Sequence, residues 1–237
     1  MLQRLRSGSS SPVVVATKGG RFVTKLRGSG QGVLSLIAEI IVAEIAEHLG
    51  LAVPERVLIE LPSDVESDDE NDELADLLRF SAGTNLGFRW LDDARTPRPE
   101  ELRALDDEFV ARVLFLDELV TNLDRSPQNP NLLFWKRQPW LIDHGAALPF
   151  HHHWDLVDHD TPGDPMDLSG HLFADRLPSL DRHRAPLAAS LTRDAIEQAT
   201  ATVPDAFYSA VGTDSALRAR AAYAAFLWLR LEALRGQ

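Results

Sequence analysis

The chain has 237 residues, of which 44% are hydrophobic, so it is long enough to bury a sizeable core as one large domain or as two lobes. It contains no cysteine, which excludes disulfides, thiolate metal sites and cysteine nucleophiles and favours a reducing cytoplasm. The formal net charge of −12 argues against a general nucleic-acid binder. No apolar run approaches the roughly 20 residues of a membrane helix, so we expect no membrane partner.

The N-terminal part of the sequence predicts a small mixed β/α lobe. Gly19 and Gly20 separate two β-branched segments, as in a hairpin. Gly50 and Pro54 provide the stop for an apolar helix. The predicted parts are a flexible tail at 1–11, strands at 12–17, 21–28 and 53–61, a helix at 33–49, and an N-lobe that spans 12–79.

The rest of the chain is predicted to be mainly helical. An acidic loop at 63–73 precedes a glycine-containing segment at 80–91, which we interpret as a hinge. The predicted C-lobe spans 92–237 and contains a long polar loop at 146–170. Thr192 is predicted to cap one of its helices. The remaining predicted elements are helices at 99–122, 191–203 and 214–234 and hairpin strands at 132–135 and 139–143.

One stretch of the C-lobe, NLDRSPQNPNLLFWKRQPWLIDHG at 122–145, contains the residue types that phosphoryl transfer requires. The reaction needs a carboxylate that orients the acceptor hydroxyl, and oxygen ligands that hold Mg²⁺ against the nucleotide phosphates. Asp124, Asn129 and Asp143 fit these three roles, because the predicted hairpin returns Asp143 toward Asp124. Each residue taken singly is typical of a turn. Their combination favours a catalytic loop.

The same stretch resembles the HipA-like kinases. NLDRSPQN is similar to that family's Asp-Arg-x-x-x-Asn catalytic loop, and LIDHG is similar to the segment with its metal-binding Asp. VTKLRGSGQG, the helix that ends in HLGLAVPE, and GAALPFHHHW are also similar to family segments, in the family's order. The resemblance covers most of residues 12–155. It implies a bilobal protein-kinase-like α+β fold with a small mixed β/α N-lobe and a mainly helical C-lobe, related to that of phosphatidylinositol kinases.

The resemblance also implies roles for individual residues. Lys25 would pair with the α- and β-phosphates of ATP, and Glu39 would be the helix glutamate that partners this lysine. Asp124 would orient or deprotonate the acceptor hydroxyl. Asn129 and Asp143 would hold Mg²⁺.

Two of these assignments have physical alternatives. Glu44 falls inside the apolar arc of the predicted helix, where a carboxylate needs a partner, so it competes with Glu39 as the partner of Lys25. Both glutamates also fit a solvated surface. A strand lysine such as Lys25 is typical of a solvated sheet edge, although the chain has few lysines.

Two glycine turns are candidates for contact with phosphate, since glycine lets backbone N–H groups approach an anion. They are the Gly19-Gly20 turn and the turn at 28–32, which contains Gln31. Neither matches the G-x-G-x-x-G loop of protein kinases. The alternative, that both are ordinary hairpin and pre-helix turns, stays open.

The loop at 146–170 is rich in residue types that bind transition metals. Consecutive histidines rarely point at one centre, so we favour a polar loop on the substrate side over a zinc site. The residues concerned are His151, His152, His153, Asp155, His159 and Asp160.

The sequence therefore predicts a cytoplasmic kinase that transfers the γ-phosphoryl of Mg-ATP to a hydroxyl, and the resemblance suggests Ser or Thr of a protein as the acceptor. A small-molecule or lipid kinase and a nucleotide-binding pseudokinase scaffold are the alternatives. The chain is much shorter than the best-known HipA proteins, so no antitoxin partner is inferred. Candidate autophosphorylation sites are Ser7, Ser9, Ser10, Ser11 and Ser29.

Overall fold

A computed structural model describes residues 2–4, 12–30, 32–64, 72–209 and 215–236. The strands are β1 Leu2–Arg4, β2 Val13–Thr17, β3 Gly20–Lys25, β4 Arg56–Leu61, β5 Gly83–Arg89, β6 Leu132–Trp135 and β7 Gln138–Leu141. The helices are α1 Gly32–His48, α2 Asp72–Phe80, α3 Pro99–Arg103, α4 Asp107–Leu119, α5 Leu177–Ser190, α6 Arg193–Ala201, α7 Asp205–Tyr208 and α8 Ala216–Arg235. Short 3₁₀ helices lie at Pro149–His152, Trp154–Leu156, Thr161–Gly163 and Ala174–Arg176.

The chain divides into two compact units. The first comprises residues 1–36 and 54–92, and the second comprises residues 37–53 and 93–237. The five-stranded sheet and α2 belong to the first unit, whereas α3 to α8 and the β6–β7 hairpin belong to the second. This is the bilobal α+β organisation that the sequence predicts, with a small mixed unit and a mainly helical one.

The first unit is built on an antiparallel sheet with the strand order β1-β2-β3-β5-β4. The predicted β2–β3 hairpin is confirmed, with Thr17 paired with Gly20 across the turn. α2 packs on the sheet through Leu74 and Leu78, which lie one helical turn apart. The core that they join also contains Val13, Val15, Phe22, Leu26, Ile59 and Leu61.

The second unit is organised around α4, which is buried on all sides from Val110 to Leu119 apart from Arg112. A helix that is apolar around its whole circumference belongs in a core. Asp106 caps its start by accepting a hydrogen bond from the Phe109 N–H at 2.7 Å. α5 and α8 both pack against α4.

Three arginines attach other segments to α4, of which Arg182 is exposed, Arg184 is partly buried and Arg230 is buried. Arg182 of α5 donates to Asp107 at 2.5 Å, and Arg184 donates to Glu118 at 2.5 Å. Arg230 of α8 is almost fully buried. It donates to three carbonyl oxygens, those of Glu118 at 2.9 Å, Pro162 at 3.0 Å and Asp164 at 2.8 Å. The polar loop is therefore anchored between the last helix and the end of α4.

Some boundaries differ from the predictions. Residues 2–4, expected to be tail, form β1 and pair with β2, whereas residues 5–11 lie outside the described residues. The acidic loop falls mostly outside the described residues, and α2 begins at Asp72. The segment interpreted as a hinge contains β5, an interior strand of the sheet. The first unit continues to Asp92.

The helix α5 was not predicted, and its sequence contains two prolines, Pro178 and Pro186, a residue type that disfavours helices. Pro178 occupies the first turn, where a missing N–H costs little. Pro186 lies inside the helix, which nevertheless forms because it packs against α4. The predicted cap of α6 is confirmed, since Thr192 accepts from the Ala195 N–H at 3.2 Å.

No helix among the described residues is long and apolar enough to cross a membrane.

Candidate active site

The chain turns back directly after α4 to begin the predicted catalytic stretch 122–145, whose first part, residues 122–131, is called the catalytic loop below. Thr121 has a left-handed backbone with φ 52°. The Asn122 N–H then donates to the Asp117 carbonyl oxygen at 2.8 Å, and the Asn122 side-chain oxygen accepts from the Asp124 N–H at 3.1 Å. The end of α4 therefore sets the position of Asp124.

Two amide side chains hold the Asp124 carboxylate. Asn129 Nδ2 donates to Asp124 Oδ2 at 3.0 Å, and Asn131 Nδ2 donates to the same oxygen at 3.1 Å. The chain makes a tight turn before Asn129, in which Ser126 and Asn129 exchange backbone hydrogen bonds of 3.0 and 3.1 Å. Asn129 is therefore both a turn residue and a direct partner of Asp124.

Asp143 lies at the same end of the β6–β7 hairpin as Asn131. The Ile142 N–H donates to the Asn131 carbonyl oxygen at 3.1 Å, and Asp143 is the next residue. Asp143 is half-buried and has φ 58°, a left-handed backbone that Asp adopts more readily than most residues. The hairpin thus brings Asp143 beside the loop that carries Asp124 and Asn129.

The donor set fits a hard divalent cation such as Mg²⁺. The Asn129 amide nitrogen faces Asp124, so its Oδ1 is the atom that remains as a ligand. Asp143 supplies a carboxylate. Among the described residues no group of three or more His, Cys, Asp or Glu side chains forms an all-protein metal cage. Mg²⁺ at nucleotide sites is usually held by one or two carboxylates together with waters and substrate phosphates, and does not need such a cage.

Lys25 is the last residue of β3, where it pairs with Leu86 of β5. Its strand is interior, and only 6% of the residue is exposed. The alternative that Lys25 is a solvated edge lysine is therefore wrong. A lysine is rarely buried to this extent without an anionic or polar partner.

The two candidate glutamates of α1 differ in burial. Glu39 is fully buried, whereas Glu44 is partly exposed. The helical wheel placed Glu44 in the apolar arc, but α1 is buried around nearly its whole circumference over Leu36 to Ala46, so a wheel cannot separate an inner face there. Burial thus favours Glu39 as the carboxylate that requires a partner.

The Gly19-Gly20 turn uses its polar backbone groups internally. The Gly19 N–H donates to Thr17 Oγ1 at 3.0 Å, and Thr17 Oγ1 donates to the Gly20 carbonyl oxygen at 3.2 Å. Gly20 has φ 123°, a conformation that favours glycine. These contacts support the ordinary hairpin interpretation, and a role in phosphate binding stays a prediction.

The second glycine turn is tied to the sheet unit by its first residue. The Gly28 N–H donates to Ser81 Oγ at 3.1 Å. A Cβ at Gly28 would lie 2.7 Å from that oxygen and 2.8 Å from the backbone carbonyl carbon of Phe80, so only glycine fits. Ser29 is half-buried, and its N–H donates to the Leu26 carbonyl oxygen at 3.0 Å. Gln31 and the serines at 7 and 9–11 lie outside the described residues.

The histidines of the polar loop separate instead of converging. His151 is only 3% exposed, and its Nδ1 lies 3.1 Å from the Tyr223 hydroxyl. Burial, with a smaller effect of His152, lowers the pKa of His151 to about 3. His152 and His153 are exposed, and so is His159. This arrangement supports the polar loop rather than a transition-metal site.

The structure adds Asp117 and His171, which the sequence did not single out. Asp117 of α4 forms an ion pair with Arg125 of the catalytic loop, with Nε and Oδ2 2.6 Å apart and both side chains fully buried. His171 Nε2 lies 3.0 Å from the same carboxylate oxygen. Asp117 and Glu118 are the two acidic residues of the otherwise apolar run VLFLDELV. An acidic side chain that is buried with such a run needs a partner, and this was the available signal for Asp117.

The Asp117 carboxylate stays charged despite its burial. Desolvation by itself would raise its pKa, but the Arg125 charge and the hydrogen bonds from His171 and Arg125 outweigh that effect and hold the pKa well below its usual range. Asp117 and Arg125 therefore form a buried pair of opposite charges.

A cavity of about 250 Å³ lies next to the catalytic loop. It is smaller than the roughly 300–1,000 Å³ that is typical of pockets for small-molecule ligands. Pro127 of the loop forms part of its wall. The other lining residues are Pro99, Leu102, Arg103, Leu172, Phe173, Asp175 and Arg176.

Comparison with solved structures places the fold among kinases. The chain is similar to the Helicobacter pylori proinflammatory kinase CtkA, with a TM-score of 0.63 over 100% of this chain and 95% of that one. The two sequences are 12% identical, so this likeness concerns the fold alone.

The particular family follows from the sequence. The family model described as HipA-like kinase matches residues 1–212, and the chain therefore belongs to the HipA-like kinase family. No curated protein matches the chain. Family and fold together define the protein as a kinase, that is, a phosphotransferase.

Proposed function

We propose that the protein transfers the γ-phosphoryl group of Mg-ATP to the hydroxyl of a Ser or Thr residue of a protein. The cluster formed by Asp124, Asn129 and Asn131 carries this proposal, because it fixes a carboxylate in a loop of the catalytic type. The absence of cysteine agrees with action in the cytoplasm.

Asp124 accepts the proton of the acceptor hydroxyl in this mechanism, or orients that hydroxyl toward the γ-phosphorus. Its Oδ2 is held by the two Asn amides at 3.0 and 3.1 Å. Neither of these hydrogen bonds involves Oδ1, so Oδ1 is the oxygen that would face the hydroxyl. The fixed carboxylate needs little reorganisation when the acceptor arrives.

Asn129 and Asp143 would hold Mg²⁺, which neutralises charge on the phosphates when it is bound. Lys25 would add a positive charge for the α- and β-phosphates. Glu39 is the buried carboxylate proposed to orient this lysine. The part of the chain that covers the phosphates, including any role of Gly19, Gly20 or Gln31, stays a prediction.

The cavity beside the catalytic loop supports a protein acceptor. Pro127, in its wall, lies within the turn that joins Asp124 to Asn129. The volume suits one apolar side chain better than a complete small-molecule substrate. A residue near the phosphorylated Ser or Thr would place its side chain there, next to the charged wall residues Arg103, Asp175 and Arg176.

The proposed reaction is tested by label transfer from γ-³²P-ATP with Mg²⁺, followed by mapping of phosphorylated Ser and Thr. Asp124→Asn should reduce transfer by about 10²- to 10⁴-fold, as expected for loss of a general base. Asp143→Gly, which tolerates the left-handed backbone, should do the same through loss of a metal ligand. Both variants should keep the wild-type melting temperature within a few degrees.

Asp181→Asn is the matched control, because Asp181 is an exposed carboxylate on α5. Wild-type transfer by Asp124→Asn would refute the proposed mechanism. Labelling of small hydroxyl compounds and of no protein would instead identify a small-molecule kinase. Thermal stabilisation by ATP without turnover of the wild-type protein would identify a nucleotide-binding scaffold.

The acceptor part of the proposal has its own test. Leu102→Trp should fill the cavity and lower kcat/KM for protein acceptors several-fold, with KM for ATP unchanged. Leu217→Trp is the control, since Leu217 lies on α8 and is 73% exposed. Equal acceptor kinetics in the two variants would show that acceptors do not use this cavity.

A further inference from the structure

The ion pair of Asp117 and Arg125 connects α4 to both ends of the catalytic loop's turn. Arg125 Nε and Nη2 donate to the two oxygens of Asp117 at 2.6 and 3.3 Å. Its Nη1 donates to the carbonyl oxygens of Asn131 at 2.6 Å and Pro130 at 3.3 Å. A buried ion pair is weak evidence for stability, because desolvation offsets the attraction. A fully satisfied one does fix geometry, and here it fixes both ends of the turn that carries Asn129.

His171 completes this network in one defined tautomer. Its Nδ1 accepts a hydrogen bond from the Phe173 N–H at 3.0 Å. A neutral ring with Nδ1 as acceptor carries its proton on Nε2. Nε2 lies 3.0 Å from Asp117 Oδ2, so His171 donates to the carboxylate. The side chain is 2% exposed, which keeps water away from this contact.

The network reaches Asp124 through Asn122. Asn122 Nδ2 donates to Asp117 Oδ1 at 2.8 Å, and Asn122 Oδ1 accepts from the Asp124 N–H at 3.1 Å. An unbroken series of hydrogen bonds therefore links His171 to the backbone of Asp124. A second connection runs in parallel, because the Leu172 N–H donates to the Arg125 carbonyl oxygen at 3.0 Å.

We propose that His171 is a positioning residue for phosphoryl transfer, which orients Asp124 by fixing the Asp117 carboxylate against Arg125 and Asn122. The proposal rests on the proposed role of Asp124. Without the His171 donor, Asp117 keeps its bonds to Arg125 and Asn122, so the fold persists. The carboxylate then has one constraint fewer, and the loop it supports loses part of its alignment.

The test compares variants at position 171 in ADP release from Mg-ATP at saturating ATP. His171→Leu and His171→Phe remove the donor, and each should lower kcat about tenfold or more, since small misplacements of reacting groups are costly. KM for ATP should stay within about twofold, because positioning of Asp124 does not bind nucleotide. His171→Gln can still donate an N–H to Asp117 and should recover most of the lost kcat.

His183→Leu is the matched control. His183 is a partly buried histidine of α5 whose Nδ1 lies 2.8 Å from the Ser179 carbonyl oxygen of the same helix. Its kcat should equal that of the wild type.

Three results would overturn the proposal. One is a wild-type kcat in folded Leu or Phe variants, and another is an equal loss in the Gln variant, since the donated hydrogen bond would then be irrelevant. The third is unfolding of both the Leu and Phe variants, seen by circular dichroism, because the network would then maintain the fold and not the loop. If Asp124→Asn itself leaves ADP release unchanged, the proposed function fails first, and this separates the two failures.

Discussion

The catalytic loop and the histidine-rich loop at 146–170 are both polar segments of the second unit, yet their side chains behave in opposite ways. In the catalytic loop, Asn129 and Asn131 both donate to one oxygen of Asp124. In the histidine-rich loop, His151 is buried against Tyr223, while His152 is exposed to solvent.

The difference lies in spacing and not in composition. The residues that converge on Asp124 are five and seven positions away, across a tight turn that folds the chain back. His151 and His152 are consecutive in a 3₁₀ helix, where neighbouring side chains point about 120° apart. In this chain, a segment with many ligand-type residues therefore predicts side-chain convergence less well than polar residues spaced across a tight turn.

Among the predictions that test this comparison, the largest effect is on activity and is expected in the catalytic loop. Asn131→Gly removes one donor to Asp124 and keeps the left-handed backbone, which has φ 47°. Loss of that constraint should lower kcat by about 10- to 100-fold, measured as label transfer from ATP, because alignment of the carboxylate is lost. Lys136→Gly is the control, since Lys136 has φ 49° in the neighbouring β6–β7 turn. If both variants transfer equally well, the Asn131 contact has no catalytic value.

A smaller effect concerns stability in the histidine-rich loop. The unfolded chain protonates His151 below its ordinary pKa of 6.5, whereas the folded protein keeps it neutral down to about pH 3. The stabilisation is therefore complete above pH 6.5 and is lost as pH falls toward 3. Between pH 6.5 and 5 the free energy of unfolding should fall by about 2 kcal/mol from this group.

His151→Phe should flatten this dependence in urea unfolding curves recorded from pH 7 to 5. Tyr223→Phe is the control, because it removes the hydrogen bond and keeps the histidine. Its slope with pH should match the wild type. Identical slopes in the wild type and His151→Phe would show that His151 is not held neutral.

The smallest effect is expected at the exposed histidines. His152→Ala combined with His153→Ala should leave phosphoryl transfer and melting temperature unchanged within error, since both side chains are exposed. Metal analysis of tag-free protein should find no stoichiometric zinc. Zinc bound to the wild type and lost from the double variant would restore the transition-metal interpretation.

Much of the fold was predictable because local patterns agreed with tertiary structure. The Gly19-Gly20 pair predicted the β2–β3 hairpin, and two short apolar segments at 132–135 and 139–143 predicted the β6–β7 hairpin. In the β6–β7 turn, Lys136 and Arg137 have left-handed backbone conformations. The sequence does not indicate these conformations, because neither residue is of a type that favours them. α5 could not be predicted, because its Pro186 opposes a helix locally and only packing against α4 compensates.

The candidate site divides in the same way. Asp124 and Asn129 could be recognised because their contact spans five residues. The pairing of His171 with Asp117 could not be recognised, because the two residues lie 54 positions apart and no local pattern predicts it. Glu39 could not be separated from Glu44 by periodicity, since α1 is apolar on nearly every side.

The contacts of Arg230 have a consequence for how the chain is made. Arg230 leaves the ribosome 112 residues after Glu118, whose carbonyl oxygen it binds. At about 5–20 residues per second, this interval is on the order of ten seconds. During that time the last turn of α4, which leads into the catalytic loop, lacks its partner from α8. The second unit should therefore reach its folded state only after α8 has been synthesised. A nascent chain stalled before residue 230 should be more sensitive to protease than a chain that includes α8.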